Sequence, residues 1–163
     1  DEEWLPFAPG SFDLIVASLS LHWVNDLPGA LIQLRQALQP DGLLLATLPA
    51  LGTLGELRTA LTAAEAEAMG GASPRVSPFP DLRDLAGLLQ RAGFALPVAD
   101  VETIAVAYAD PFALLRDLRA AGEANAIAPV RMATITGWAP GPQQPQPLKP
   151  GSGRVSLREA LGG

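Results

Sequence analysis

The sequence predicts an α/β fold with an open sheet, and three observations point to it. Two apolar runs, the short Phe12–Ser18 and the continuous Gly42–Leu48, have the length and composition of buried strands. The segment between them has the leucine spacing of a helix with one apolar face. A strand, an amphipathic helix and a strand within about forty residues form a βαβ unit. The rest of the chain extends this unit to the order β-α-β-α-α-β-α-β, without an internal repeat.

The first helix is bounded by start and stop signals. Asn25 or Asp26 can cap its amino end, and Pro28 fits the first turn because the N–H that proline lacks would have no helical partner there. Its apolar face is formed by Leu27, Leu31, Leu34 and Leu38. The tetrapeptide QPDG at 39–42 then predicts a turn before the second strand.

The same signals place the remaining elements. Leu54–Met69 is predicted as a second helix that two glycines end. A third helix ends at Gly93 and is marked by Leu82, Leu85, Leu88 and Leu89. Two more strands, Asp100–Tyr108 and Arg131–Ala139, flank a fourth helix that begins after the capping residue Asp110.

The composition excludes several classes of protein. Apolar residues make up 48% of the 163 residues, which is too hydrophobic for a disordered chain. The net charge of −6 is a poor match for nucleic-acid phosphates. With no cysteine and one histidine, the chain offers neither disulfides nor the common zinc ligands. Its first residues are acidic, unlike a signal peptide, and its longest apolar run is far shorter than a membrane span, so we expect no transmembrane segment.

The chain divides into a folded part and a tail. Residues 1–138 carry the apolar periodicity and are predicted to form the carboxyl-terminal part of a domain, whereas residues 139–163 are rich in proline and glycine. We expect this second segment to be extended and poorly packed on its own.

The strand ends are where a ligand is expected, because ligands of open α/β sheets bind beyond the carboxyl ends of the strands. Here these ends are Ser18–Trp23 and Leu48–Thr53. Neither is followed by G-x-G-x-x-G or G-x-x-x-x-G-K-[ST], the glycine-rich loops that cradle cofactor phosphates. We therefore expect a first strand with its glycine loop to precede Asp1, which would make this chain the carboxyl-terminal part of a longer protein.

Several motifs resemble known families. Class I S-adenosylmethionine-dependent methyltransferases have a middle segment that is similar to DEEWLPFAPGSFDLIVASLSLHW, followed by a helix that ends L-x-P-D-G-x-L. A narrower resemblance is to the mitochondrial complex I assembly factor 5 family and its bacterial relatives. It lies in the stretches SLSLHWVNDLPGAL, GTLGELR, SPRVSPF, LLQRAGF and GEANA. The malonyl-carrier-protein methyltransferases of the biotin pathway are a more distant match. The similarity runs from Asp1 to about Asn125 and resumes at Thr136.

The resemblance implies a partial Rossmann-like class I methyltransferase fold that comprises its fourth to seventh strands, with the glycine-loop half absent. It implies that the full-length protein, rather than this segment alone, binds S-adenosylmethionine and methylates a small-molecule or protein acceptor. The narrower family implies two alternatives: hydroxylation of a protein arginine, or a non-catalytic assembly role with a respiratory complex I subunit as partner. The location would be the cytoplasm in a bacterium or the mitochondrial matrix in a eukaryote.

The sequence departs from the family's pattern in two places. The first is the absence of the half that carries the glycine loop. The second lies between about Ala128 and Arg131, where the family carries a further helical stretch and this chain has Ala-Pro-Val-Arg directly. Both a deletion and a missing loop remain open as explanations.

The resemblance also assigns cofactor-binding residues. Asp1 corresponds to the acidic residue whose carboxylate accepts a hydrogen bond from the adenine amino group, and Glu2 supplies an adjacent backbone N–H. Ser18, Leu19 and Ser20 lie where the fourth strand ends beside the methionine part of the cofactor, so their carbonyls could accept hydrogen bonds from its ammonium group. The alternatives are a solvated acidic terminus and a plain strand-to-helix loop.

His22 is the candidate catalytic residue because it is the only histidine and follows a strand end, where a base or a substrate-orienting group can act. The alternative is a structural histidine. Trp23 could wall a substrate pocket or belong to the core. Further residues that could reach the same cleft are Glu56, Arg58, Glu123 and Asn125.

The first strand predicts a surface for association. Phe12–Ser18 contains no lysine or proline, so an unpaired edge of this strand would recruit another strand. The half of the family fold that this chain lacks would supply a parallel neighbour and helices over apolar surface around Leu14, Val16 and Leu21. We therefore expect a homo-oligomer through this edge, or its coverage by another segment.

Overall fold

The computed structural model describes residues 4–71, 78–120 and 130–145. They form a four-stranded mixed sheet with helices, in the order predicted from the sequence. In chain order the elements are β1 (Phe12–Ser18), α1 (Leu27–Ala37), β2 (Leu38–Pro49), α2 (Gly55–Met69), α3 (Leu82–Arg91), β3 (Ala95–Ile104), α4 (Pro111–Ala120) and β4 (Val130–Trp138). A 3₁₀ turn at Leu21–Trp23 lies between β1 and α1.

The sheet has the strand order β1-β2-β4-β3. β1 pairs with β2 in parallel, whereas β4 runs antiparallel to both of its neighbours, β2 and β3. The strands β1, β2 and β3 therefore point in one direction, and their carboxyl ends lie at one edge of the sheet. This arrangement confirms the predicted open α/β fold.

One face of the sheet packs against α1 and α3 and forms the main core. Side chains of this face alternate along the strands with outward-facing ones, as the pleat requires. The largest fully buried side chains are Leu31, Leu44, Leu48, Leu85, Leu89 and Ile135. Each contributes about 1.5–3 kcal/mol to folding through burial, so this layer is what holds the strand ends in place.

The predicted start of α1 is confirmed in detail. The Asp26 carboxylate caps the helix by accepting a hydrogen bond from Gly29 N at 2.9 Å, and Pro28 lies in the first turn. Of the two cap residues that the sequence left open, the structure uses Asp26. Because α1 is capped at this point, the chain after β1 has room only for the 3₁₀ turn and a short link.

β2 begins earlier than the sequence predicts. The turn expected at 39–42 is instead a bulge within the strand, where Asp41 has a φ of 64° and the register against β1 shifts between Phe12 and Leu14. Asp41 N donates to Ala139 O at 3.0 Å, and Ala139 N donates to Gly42 O at 2.8 Å. These bonds to Ala139, directly after β4, keep Asp41 and Gly42 in the sheet, since backbone groups inside a fold must be paired.

β3 is displaced from its predicted position. The strand expected at Asp100–Tyr108 occupies Ala95–Ile104 instead. Gly93 has a φ of 86° and turns the chain directly after α3, so the strand can begin two residues later. Pro97 lacks an N–H donor, but β3 is an edge strand of the described sheet, with a bulge at Leu96, and such strands tolerate proline. The predicted bounds of α2 and β4 agree with the structure to within one residue.

α2 and α4 lie outside the main core. No residue of α2 is buried. Leu54, directly before α2, is buried in a small second cluster with Leu57, Phe79, Leu114 and Leu118. Asp110 caps α4, as predicted, by accepting hydrogen bonds from Phe112 N at 2.8 Å and Ala113 N at 2.9 Å. None of the helices in the described residues is long and apolar enough to cross a membrane.

The second face of the sheet carries exposed apolar side chains. Leu14 is 52% exposed and Val16 61%, although both belong to an otherwise apolar strand. Val16 lies in one cross-strand row with Leu45 of β2 and Val98 of β3. The expectation of open apolar surface is thus confirmed for Leu14 and Val16. It is wrong for Leu21, which is 5% exposed and packs into the core because the 3₁₀ turn folds back onto β2.

β1 is an edge strand among the described residues, and this edge generates a prediction about association. We expect the 163-residue chain to self-associate in solution, and Val16→Lys to return it to the monomer mass, because a lysine inside an edge strand opposes strand addition. Val98→Lys, on the same face but on β3, is the matched control and should leave association intact. Multi-angle light scattering makes the measurement. A monomeric wild-type chain whose Ile15 and Val16 amides exchange freely would contradict coverage of this edge.

Candidate functional site

The loop after β1 is held against β2 at the carboxyl edge of the sheet. Ser18 pairs with Thr47, and its hydroxyl accepts a hydrogen bond from the Thr47 hydroxyl at 3.4 Å. Leu19 N donates to Thr47 O at 2.9 Å. Leu19 has a φ of 51°, a left-handed conformation that costs a leucine about 1–2 kcal/mol. Strained backbone of this kind persists only where the surroundings hold it, and it clusters at ligand sites.

Ser20 completes this loop and begins the 3₁₀ turn. Its carbonyl oxygen accepts a hydrogen bond from Trp23 N at 3.3 Å. A carbonyl oxygen can accept two hydrogen bonds, so this contact leaves room for a ligand donor. Ser18 and Leu19 are exposed and Ser20 is half-buried. The structure therefore brings the three candidate residues together in one accessible loop, here called the 18–20 loop.

His22 lines an apolar pocket of about 280 Å³ next to this loop, here called the His22 pocket. Its other lining residues are Leu21, Val24, Leu27, Leu48, Pro78, Phe79 and Pro80. Among these described lining residues, His22 alone has a polar side chain. The imidazole is half-buried with its Nδ1 atom shielded from solvent, and its ring centroid lies 4.9 Å from that of Trp23. The pocket thus combines apolar walls with one group that can exchange a proton.

Of the other candidate residues, the three that the structure describes do not line this pocket. Trp23 is 58% exposed, so it is not the core residue that one alternative expected. Glu56 is exposed in the first turn of α2 and borders a separate shallow groove. Arg58 is half-buried in the same helix. The candidates that lie outside the described residues are Asp1, Glu2, Glu123 and Asn125.

The second loop of the site follows β2. The sequence did not reveal the two residues that hold it, Thr53 and Arg131. Thr53 is 3% exposed, and its hydroxyl bonds to the backbone of Arg131 in β4. These two residues lie 78 positions apart, so no local pattern pairs them. The sequence Pro-Phe-Pro at 78–80 was a usable signal, because flanking prolines predict a stiff segment, and this segment walls the His22 pocket.

Comparison with known families decides the class of this fold. A family model described as a methyltransferase domain matches residues 1–97, which is more than half of the chain. The chain belongs to the methyltransferase domain family. The matched region runs from before β1 into β3, so it includes the 18–20 loop, His22 and the loop after β2. Membership confirms the resemblance to class I methyltransferases and the partial Rossmann-like fold.

Two curated relatives illustrate the similarity. The chain is 36% identical to "Arginine-hydroxylase NDUFAF5, mitochondrial" of Danio rerio, over 98% of this chain and 59% of that protein. It is 42% identical to "Malonyl-[acyl-carrier protein] O-methyltransferase" of Xylella fastidiosa (strain M23), over 84% of this chain and 44% of that protein. The chain therefore spans about three fifths or less of these relatives' own length. The match to the Danio rerio protein extends over 190 residues, so that protein carries additional residues within the matched region.

A solved structure supports the fold. The structure titled as an SAM-dependent methyltransferase, possible histamine N-methyltransferase, from Thermotoga maritima superposes with a TM-score of 0.53 at 17% identity. The superposition covers 85% of this chain and 61% of the other. At this identity the likeness establishes the class I methyltransferase architecture alone.

The position of His22 at a pocket wall generates a prediction about stability. We expect His22→Ala to lower the free energy of unfolding by about 1 kcal/mol or less, because the side chain is only half-buried. Leu48→Ala is the matched comparison in the same pocket. Because the Leu48 side chain is fully buried, this truncation should lower the free energy of unfolding by about 2–5 kcal/mol. Urea denaturation measures both. Equal losses would identify His22 as a structural core residue.

Proposed function

We propose that the protein containing this chain is a S-adenosylmethionine-dependent methyltransferase, with the cofactor against the 18–20 loop and the acceptor in the His22 pocket. The observation that supports this proposal is the adjacency of a strained, accessible loop and an apolar pocket with one imidazole. Both lie at the carboxyl edge of the sheet, where ligands of open α/β folds bind.

The 18–20 loop fits the amino-acid part of the cofactor. Because Leu19 N is engaged by Thr47 O, we assign the backbone carbonyl oxygens of the loop, rather than this N–H, to the ammonium group of the cofactor. We assign Ser18, Leu19 and Ser20 to this contact, and Asp1 and Glu2 to the adenine. S-adenosylmethionine, when bound, supplies a methyl group on a sulfonium centre. The chain's own contribution is orientation, since two reactants held in line react far faster than free ones.

The His22 pocket fits an apolar part of the acceptor. Its walls are aliphatic, aromatic and proline side chains, which exclude water and favour an apolar group. A neutral imidazole at the wall can accept a proton from an O–H or N–H of the acceptor as the methyl group arrives. We therefore assign His22 as the catalytic residue.

Hydroxylation of a protein arginine is the second candidate function. It is favoured by the Danio rerio relative, whose name is arginine-hydroxylase and which matches nearly the whole chain. The partner would then be a respiratory complex I subunit, and a role in assembly without catalysis would use the same partner. For a eukaryotic source we propose the mitochondrial matrix, and for a bacterial source the cytoplasm.

Mass spectrometry separates these functions when candidate acceptor proteins are incubated in air with the full-length protein, S-adenosylmethionine and an electron donor, because hydroxylation would consume dioxygen and a reductant. Methyl transfer adds one methylene to the acceptor and hydroxylation adds one oxygen. We expect the methylene, and we expect His22→Ala to reduce its formation by about 10²-fold. Addition of oxygen would replace the first proposal by the second, and an unchanged acceptor would favour the assembly role.

The conformation of Leu19 generates a prediction about cofactor affinity. Leu19→Gly should preserve binding of S-adenosylmethionine by the full-length protein, because glycine adopts a positive φ without strain. Leu19→Val should weaken binding by roughly tenfold, because a β-branched residue resists that conformation. Isothermal titration calorimetry measures both, with Leu51→Val as the control on the other loop. Equal affinities of Leu19→Gly and Leu19→Val would remove the 18–20 loop from the cofactor site.

A further inference from the structure

Thr53 and Arg131 form a reciprocal pair of hydrogen bonds, here called the Thr53–Arg131 latch. The Thr53 hydroxyl accepts a hydrogen bond from Arg131 N at 2.9 Å and donates to Arg131 O at 3.0 Å. Arg131 O also accepts from Ala50 N at 2.7 Å. The hydroxyl thus takes the place of a strand partner and fastens the loop after β2 to the beginning of β4.

The Arg131 side chain extends the latch over the same loop. Its Nη1 donates to Leu51 O at 3.0 Å. Its Cδ lies only 2.8 Å from where a Cβ on residue 52 would be, and Gly52 has a φ of 95°. A glycine is therefore required for this approach. Backbone and side chain of Arg131 together hold the loop from Ala50 to Thr53.

The loop in turn holds a wall of the His22 pocket. Leu51 N donates to Pro80 O at 2.9 Å. Pro80 and its neighbour Phe79 line the pocket, and Phe79 also packs against Leu54. Because the backbone around a proline has little freedom, a shift of Leu51 is carried to this wall. Two hydrogen bonds, joined through the backbone of Leu51, therefore connect Arg131 with the pocket wall.

We propose that Thr53 is a positioning residue for the acceptor: through Arg131 and Leu51 it fixes the Pro78–Pro80 wall of the His22 pocket. The proposal rests on the proposed function, in which this pocket receives the acceptor. Thr53 itself does not line the pocket, so its effect on the acceptor is indirect. Loss of the hydroxyl would leave Arg131 N and O without this partner, and the loop would open to restore hydrogen bonds with water.

The test uses three variants of the full-length protein. Thr53→Val removes both hydrogen bonds at constant shape, and Thr53→Ser keeps the hydroxyl. Thr62→Val is the matched control, because the Thr62 hydroxyl bonds only within α2, to Arg58 O at 2.7 Å. The measurements are hydrogen exchange of the Leu51 amide, the imidazole NMR signal of His22 (assigned with His22→Gln) and calorimetric affinity for S-adenosylmethionine.

We expect Thr53→Val to accelerate exchange at Leu51 by about tenfold or more and to shift the His22 signal. Cofactor affinity should stay at the wild-type value, because the 18–20 loop is held by Thr47 and not by the latch. Thr53→Ser should keep the Leu51 exchange rate and the His22 signal at their wild-type values, and Thr62→Val should change neither. If Thr53→Val does not fold, Arg131→Met, which removes only the guanidinium contact to Leu51 O, should shift the His22 signal in the same direction.

Two results would overturn the proposal. One is faster exchange at Leu51 with an unchanged His22 signal, since the latch would then not reach the pocket. The other is a Thr53→Ser variant that behaves like Thr53→Val, since the hydroxyl would then not be responsible. Absence of S-adenosylmethionine binding by the wild type would contradict the proposed function alone, and the exchange and NMR results would still decide the role of Thr53.

Discussion

The parallel pairing of β1 with β2 is the constraint on which the rest of the structure depends. It sets Ser18 beside Thr47, so both strands end at the same edge of the sheet and their following loops become neighbours. α1 makes this pairing possible by returning the chain to the start of β2. The buried alternation of Leu44, Ala46 and Leu48 fixes the register, because a slip of one residue would expose these side chains.

Each of the two loops at this edge is held by a long-range hydrogen bond in a conformation that a leucine does not favour. Leu19 has a φ of 51° beside its bond to Thr47 O, and Leu54 has a φ of 63° directly after the Thr53–Arg131 latch. Such conformations are stable only because the core beneath them is closely packed. The arrangement is that of a site in which rigid strands position loops that carry the chemistry.

The sequence predicted the features that local interactions determine. The bounds of β1 follow from a short, mainly apolar run that contains Asp13 and ends at Ser18. The start of α1 follows from Asp26, whose carboxylate accepts a hydrogen bond from Gly29 N, three residues later. β3 was misplaced because the turn at Gly93 lets the strand begin directly after α3. β2 was misplaced because its first residues are held by distant partners, as at Asp41 and Ala139. The Thr53–Arg131 latch was invisible for the same reason. Within the site, the strand ends and His22 could be named. The Pro-Phe-Pro sequence signalled a stiff segment, but its place at the wall of the His22 pocket required the folded chain.

A crystal structure of the full-length protein with S-adenosylhomocysteine tests the proposed site most directly. We predict that the amino-acid end of the ligand donates hydrogen bonds to backbone carbonyls of the 18–20 loop and that its sulfur faces the His22 pocket. A ligand on the opposite edge of the sheet, or one whose sulfur points away from the His22 pocket, would contradict the assignment of this edge as the site of group transfer.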